Sequence, residues 1–178
     1  MIYEKRPGVP KYECFEYAEK TKDYVVLIPI INEGDRITKE LTRAKEHHIS
    51  DYADIVICDG GSTDGCTDEK SLRSLDVNTL LVKRDEGKQG AQLRMGISWA
   101  LERGYEGIIT IDGNNKDSIE DVPNFIQKLK ESFQGEYLVK YCLSIEKKVS
   151  IEEIKEYWKF VILENFSELA PVLLACCF

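Results

Sequence analysis

The chain has 178 residues, enough for one domain with a buried core. Apolar residues make up 43% and charged residues 31%, the balance of a globular protein rather than a disordered tract. A net charge of −8 and a pI near 5.0 exclude a general nucleic-acid surface, because phosphate binding wants clustered Lys and Arg.

Residues 1–23 are polar and aromatic, with Pro7, Gly8 and Pro10, and read as an N-terminal arm ending in a short helix. No apolar run suits a signal peptide at the start, and no run of about 18 apolar residues predicts a transmembrane helix. Residues 24–31 form a continuous apolar run rich in β-branched residues, the pattern of a strand buried on both faces. A turn through Asn32, Glu33 and Gly34 leads into a helix over 35–48. A second strand is expected over 53–58, a turn and short helix over 64–74, and a third strand over 78–83. A helix over 89–103 carries Leu93, Ile97, Ala100 and Leu101 on one stripe, with Gly104 as its stop. A fourth strand over 107–111 and a helix over 118–132 follow, the latter with Ser118 and Asp121 spaced as a capping box. Strand and helix alternate, which predicts an α/β fold, a mostly parallel sheet flanked by helices.

This α/β domain spans 24–135. Residues 136–178 are atypical, with weak strand character over 136–148 and a helix from Ser150 to about 168. Pro171 stops that helix, and the apolar run that follows continues to Phe178, as in a shortened chain. Tyr157, Trp158 and Phe160 lie on the expected helix and are read as packing residues, with contact to a lipid surface as the alternative. None of the six cysteines forms a CxxC pair, so a reduced, cytoplasmic compartment is expected, with Cys58 a small buried residue. His47 and His48 read as surface residues and Trp99 as core.

Two strands end in acidic turns: Asp59-Gly60-Gly61-Ser62-Thr63-Asp64 and Asp112-Gly113-Asn114-Asn115-Lys116-Asp117. In an open α/β sheet, ligands sit outside the carboxyl ends of the strands. Carboxylates and amide oxygens there suit a ribose, or a hard divalent cation carrying a diphosphate. Between the two turns, Gly87-Lys88-Gln89-Gly90 opens a helix whose N–H groups favour phosphate. It is neither a Walker A loop nor GxGxxG. The plain alternative at each place is a solvated turn or a helix cap: Glu33 serving a helix start, Ser62 to Asp64 capping the next helix, Arg94 in an ordinary salt bridge.

Taken in order, Ile28-Pro29, Asn32-Glu33, the Asp59–Gly65 turn, Gly87-Lys88-Gln89-Gly90-Ala91 with Arg94 and Gly96, Ile111-Asp112-Gly113-Asn114 and Asp121-Val122-Pro123 resemble the family 2 glycosyltransferases. The resemblance covers roughly 24–135 and is nearest the dolichyl- or polyprenyl-phosphate sugar transferase branch. It implies the GT-A fold and sugar transfer from a UDP- or GDP-sugar to an acceptor, either a polyprenyl phosphate or a glycan, at the cytoplasmic or inner membrane face. It also implies a donor site of Pro29, Asn32, Glu33, Asp59, Gly61, Lys88, Gly90, Arg94, Asp112 and Lys116. Asp59 would accept from the base edge, and Asp64 would be structural. Asp112, Asn114 and Asp117 would hold Mg²⁺ or Mn²⁺. Two departures stand out: Gly60 replaces the second Asp of the first acidic turn, and Asn114 replaces the second Asp of the metal motif. The family's acceptor-side Gly-Ser-Arg segment is not found, and no catalytic residue is assigned. These departures leave a second reading, a catalytically impaired nucleotide-sugar-binding remnant or regulatory module. A nucleotidyltransferase lacks support, because the 30–34 loop carries no Arg or Lys.

Overall fold

The computed structural model describes residues 1–132 and 173–176. A seven-stranded sheet runs in the order β1-β2-β5-β4-β3-β6-β7. Its strands are β1 Ile2–Tyr3, β2 Tyr12–Glu16, β3 Tyr24–Ile30, β4 Asp54–Asp59, β5 Val77–Lys83, β6 Gly107–Thr110 and β7 Leu173–Cys176. The helices are α1 Asp35–Glu46, α2 Glu69–Ser74, α3 Gln89–Glu102 and α4 Val122–Ser132. The pairs β5–β4, β4–β3, β3–β6 and β6–β7 are parallel, while β1–β2 and β2–β5 are antiparallel. The mostly parallel α/β architecture is compatible with a GT-A-like fold.

Every residue of β3 and β4 is buried. Side chains of a strand alternate between faces, and here each face meets helices. Val26, Ile28 and Ile30 pack with Ile37 and Leu41 of α1, Leu72 of α2 and Phe125 of α4. Val25, Leu27, Val56 and Cys58 pack with Met95, Trp99 and Ala100 of α3. The sheet therefore separates two apolar layers, which is why its central strands read as unbroken β-branched runs.

Several expectations need correction. The arm holds no helix among its described residues. Instead it contributes β1 and β2, with Tyr12 and Cys14 buried. Helix α1 ends at Glu46, and His48 turns left-handed beyond it. The buried side of α3 is Ala91, Gln92, Met95, Gly96, Trp99 and Ala100, one residue out of step with the expected stripe. Gly96 decides this, because α3 lies so close to the sheet there that an added Cβ would stand 2.5 Å from Cys58 Sγ. Asp68, rather than Ser62 to Asp64, caps α2, accepting from Ser71 N–H. Ser118 makes no side-chain cap, and a 3₁₀ turn over Ile119–Asp121 precedes α4. Gly104 takes the left-handed conformation past α3, as expected of a C-terminal stop. His47 and His48 are exposed and Trp99 is buried. The strand and helix expected over 136–168 lie outside the described residues.

Candidate functional site: a cleft where two strands part

Strands β5-β4-β3-β6 appear in the sheet in the order third, second, first, fourth of the parallel set, so the chain reverses direction across the sheet between β3 and β6. Ligands bind outside the strand ends at such a reversal. The ladder between β3 and β6 stops at Leu27↔Thr110, followed by a bond from Ile111 N–H to Leu27 O. The same side of β3 recurs two residues on, at Pro29, which has no N–H to offer. The strands part there and a cleft of about 410 Å³ opens. It is lined by Pro29 to Ile31 and Glu33, by Gly60, by Gly87 to Gln89 and Gln92 at the start of α3, and by Asp112 to Asn114.

Of the residues expected to hold a donor, Pro29, Glu33, Lys88 and Asp112 line this cleft, as does Asn114. Glu33 Oε2 lies 2.8 Å from Arg36 Nη2, an ion pair without hydrogen-bond geometry. Lys88 is exposed at the N-cap of α3. Asp112 accepts a short hydrogen bond from Gln89 Nε2. Burial, and then the neighbouring Asp117 and Glu33 charges, raise its carboxyl above the usual range, with the Gln89 bond opposing.

Other expected residues serve the loops. Asn32, at φ 52°, accepts Thr63 N–H at 2.8 Å and donates its own N–H to Ser62 Oγ at 2.9 Å, tying the β3 and β4 loops together. Asp59 is 2% exposed. Its carboxylate accepts Gly61 N–H, Ser62 N–H and Ser62 Oγ–H, at 3.0, 3.0 and 2.6 Å. Gly61 takes φ 102° in this turn. Asp64 accepts Gly34 N–H at 2.8 Å and Cys66 N–H at 3.1 Å, and its carboxyl is lowered chiefly by Cys66. Gly90 sits exposed in the first turn of α3, and Arg94 Nε donates to Gly8 O at 2.6 Å, toward the arm. Lys116 is exposed on the loop after β6.

For a cation, the side-chain oxygens at the cleft include those of Asp112, Asn114 and Glu33. Asn114 Oδ1 also accepts Lys116 N–H at 3.0 Å, and Asp117 Oδ2 accepts Asp112 N–H at 3.0 Å, closing the loop. Among the described residues no group of three or more His, Cys, Asp or Glu is arranged to hold a metal ion. The fit is to a hard cation that keeps water and diphosphate oxygens as most of its ligands. Burial raises Asp112 most, and the Asp117 and Glu33 charges that add to it are ones a cation would offset.

Two cleft residues escape sequence reasoning, Gln89 and Gln92. Buried Gln92 Nε2 donates to Ile30 O at 2.5 Å and Cys58 O at 3.0 Å, joining the ends of β3 and β4. A polar residue on the sheet side of α3, at the position where Ala or Leu would serve packing, is the signal that marks it.

No known family's profile matches the chain. Over 109 residues it is 27% identical to polyprenol monophosphomannose synthase of Mycolicibacterium smegmatis, covering 60% of this chain and 40% of that protein. Over 109 residues it is 26% identical to undecaprenyl-phosphate mannosyltransferase of Micrococcus luteus, covering 60% and 44%. The match thus spans less than half the length of either relative. Both are mannosyltransferases of polyprenyl phosphates by name, and this distant likeness supports a glycosyltransferase in general terms.

Proposed function

We propose that the chain binds a nucleoside-diphosphate sugar in the cleft after β3, β4 and β6 and serves a family 2 type of glycosyl transfer to a polyprenyl phosphate. The observation that carries the reading is the cleft itself. It brings the ends of three parallel strands, an unpaired ladder at Pro29, and the N-terminus of α3 to one place. The diphosphate lies at the N-terminus of α3, where backbone N–H groups and Lys88 favour anions. Asp112 and Asn114 would hold a Mg²⁺ or Mn²⁺ ion, which would supply Lewis-acid stabilisation to a departing diphosphate. Lys116, exposed on the same loop, adds positive charge. In the transfer, an acceptor phosphate oxygen forms the new bond to the anomeric carbon. The bond to the nucleoside diphosphate breaks, and the diphosphate leaves with the electron pair. Such an acceptor arrives already ionised, so no protein base is required.

A second reading is a nucleotide-sugar-binding module without turnover. Asn114 favours it, because an amide in place of a carboxylate lowers the negative charge offered to a metal. Calorimetric titration with UDP-glucose and GDP-mannose, each with and without Mn²⁺, tests the binding reading. Metal-dependent binding of one donor is expected, and Asp112→Ala should lose at least about tenfold in affinity with Mn²⁺ present. Equal affinity in both proteins would remove Asp112 from the metal site. Release or transfer of sugar from the bound donor then separates an enzyme from a binding module.

A further inference from the structure

The loop after β6 sends two neighbouring residues opposite ways. Asn114 lines the cleft, while Asn115 lies against α1. Asn115 takes φ 61°, a left-handed conformation that Asn tolerates better than most residues. Glu40 Oε2 accepts its N–H at 2.8 Å, and Arg43 Nη1 donates to its Oδ1 at 3.1 Å. Glu40 and Arg43 stand three apart on α1, so one face of that helix meets the loop.

Arg43 reaches further along the same segment. Its Nη2 donates to Asp117 O at 3.1 Å and to the Glu120 carboxylate. The side chain of that same Asp117 accepts Asp112 N–H. One guanidinium therefore holds the residue after Asn114 and the residue that closes the turn on Asp112. The loop has no slack toward the sheet either, because a Cβ on Gly113 would collide with Ile30. A salt bridge needs one acceptor. A planar fork filled from three positions of one segment fixes the shape of that segment.

We infer that Arg43 is a positioning residue for the cation site, holding the loop so that Asp112 and Asn114 face the cleft together. The inference rests on the metal and nucleotide reading of the cleft, and it extends that site to a helix that supplies none of the cleft's lining. Groups that orient the ligands of a metal govern its affinity nearly as strongly as the ligands do. That dependence is sharpest where the protein offers few oxygens, as here. Charge and position make opposite predictions for Arg43. A guanidinium repels a nearby cation, so charge alone would have its removal tighten metal binding. A guanidinium that holds the loop would have its removal weaken metal binding.

The test follows Mn²⁺ binding to the whole chain by electron paramagnetic resonance, in which the free-ion signal falls as the ion is bound. Saturating UDP or GDP is present, with a blank of nucleotide and Mn²⁺ alone. Wild type, Arg43→Gln and Arg43→Lys are compared, with circular dichroism showing folded proteins. Both variants should bind Mn²⁺ at least about tenfold more weakly than the wild type. Lys keeps the charge but replaces the fork with a point donor, so it isolates the geometry, and it decides alone should Arg43→Gln not fold. A role in stability alone would lower the melting temperature and leave Mn²⁺ affinity untouched. Affinity unchanged or tighter in either folded variant overturns the role of Arg43. No Mn²⁺ binding by the folded wild type with either nucleotide overturns the metal reading of the cleft, and the inference with it.

Discussion

At the scale of single residues, Glu40 shows how the loop after β6 is held. It lies on α1, fully buried, with Oε2 accepting Asn115 N–H at 2.8 Å and Oε1 without a partner. Burial, helped by the charges of Asp117 and Asp112, pushes its carboxyl up to about 7 from 4.5. Below pH 4.5 the folded and unfolded chains both keep this proton. Between about 4.5 and 7 the unfolded chain releases it while the folded chain retains it, so stability falls as pH rises through that window. Glu40→Gln keeps the acceptor and cannot ionise. Its unfolding free energy in urea should match the wild type near pH 4.5 and exceed it by up to about 3 kcal/mol at pH 8. The same difference at both pH values would show that ionisation is not the cause. The residues of the acidic turns were legible in the sequence because a carboxylate after an apolar strand has few other uses. What each carboxylate touches was not legible. Asp59 and Asp112 occupy like places after the two parallel strands that flank β3, yet one folds back onto its own turn and the other faces the cleft. That choice depends on the side chains of Ser62 and Gln89, whose motifs show their presence but not which carboxylate each one meets.

At the scale of elements, α3 is the piece on which the cleft depends. It presents Lys88 and Gln89 at one end and Gln92 one turn in, and it is pressed onto the sheet at Gly96. A methyl group at Gly96 would meet Cys58 Sγ at 2.5 Å and Leu27 Cδ1 at 2.9 Å, both in buried strands. Gly96→Ala should therefore lift the helix and cost about 1–3 kcal/mol, as overpacking of a tight core does. Denaturant unfolding checks the stability. Donor affinity should fall with it, because Gln92 and Lys88 move with the helix. The strands β3 to β6 were predicted nearly to the residue, since continuous β-branched runs have no other stable place than a sheet covered on both faces. The arm was misread. Its alternation of Tyr12 and Cys14 with Glu13 is short and stands beside Pro10, and its partner β5 lies some 65 positions away where local pattern gives no hint. The stripe of α3 was shifted for a related reason: Gly96 and Gln92 face the sheet, and neither looks apolar in sequence.

At the scale of the whole molecule, the sheet lies between the two apolar layers formed by the described residues, and the cleft lies at the carboxyl ends of its central strands. A ligand bound there braces both. A donor that occupies the folded state alone, at about 100 times its Kd, should add about 2.7 kcal/mol and raise the melting temperature by about 5–10 °C. Differential scanning calorimetry with UDP-glucose or GDP-mannose reads this directly, and no shift at saturation would exclude the cleft as a donor site. The described residues include no helix long and apolar enough to cross a membrane.

The pairing of β2 with β5 rather than with β3, its neighbour in sequence, has a kinetic consequence. As the chain leaves the ribosome, Tyr12–Glu16 can pair only with the two-residue strand Ile2–Tyr3 until Val77–Lys83 has followed, so the arm joins the main sheet late. Long-range closure of this kind is slow, because the loop entropy is lost before any contact rewards it. In refolding, the arm should gain amide protection after β3 and β4, and pulse-labelled hydrogen exchange would give the order.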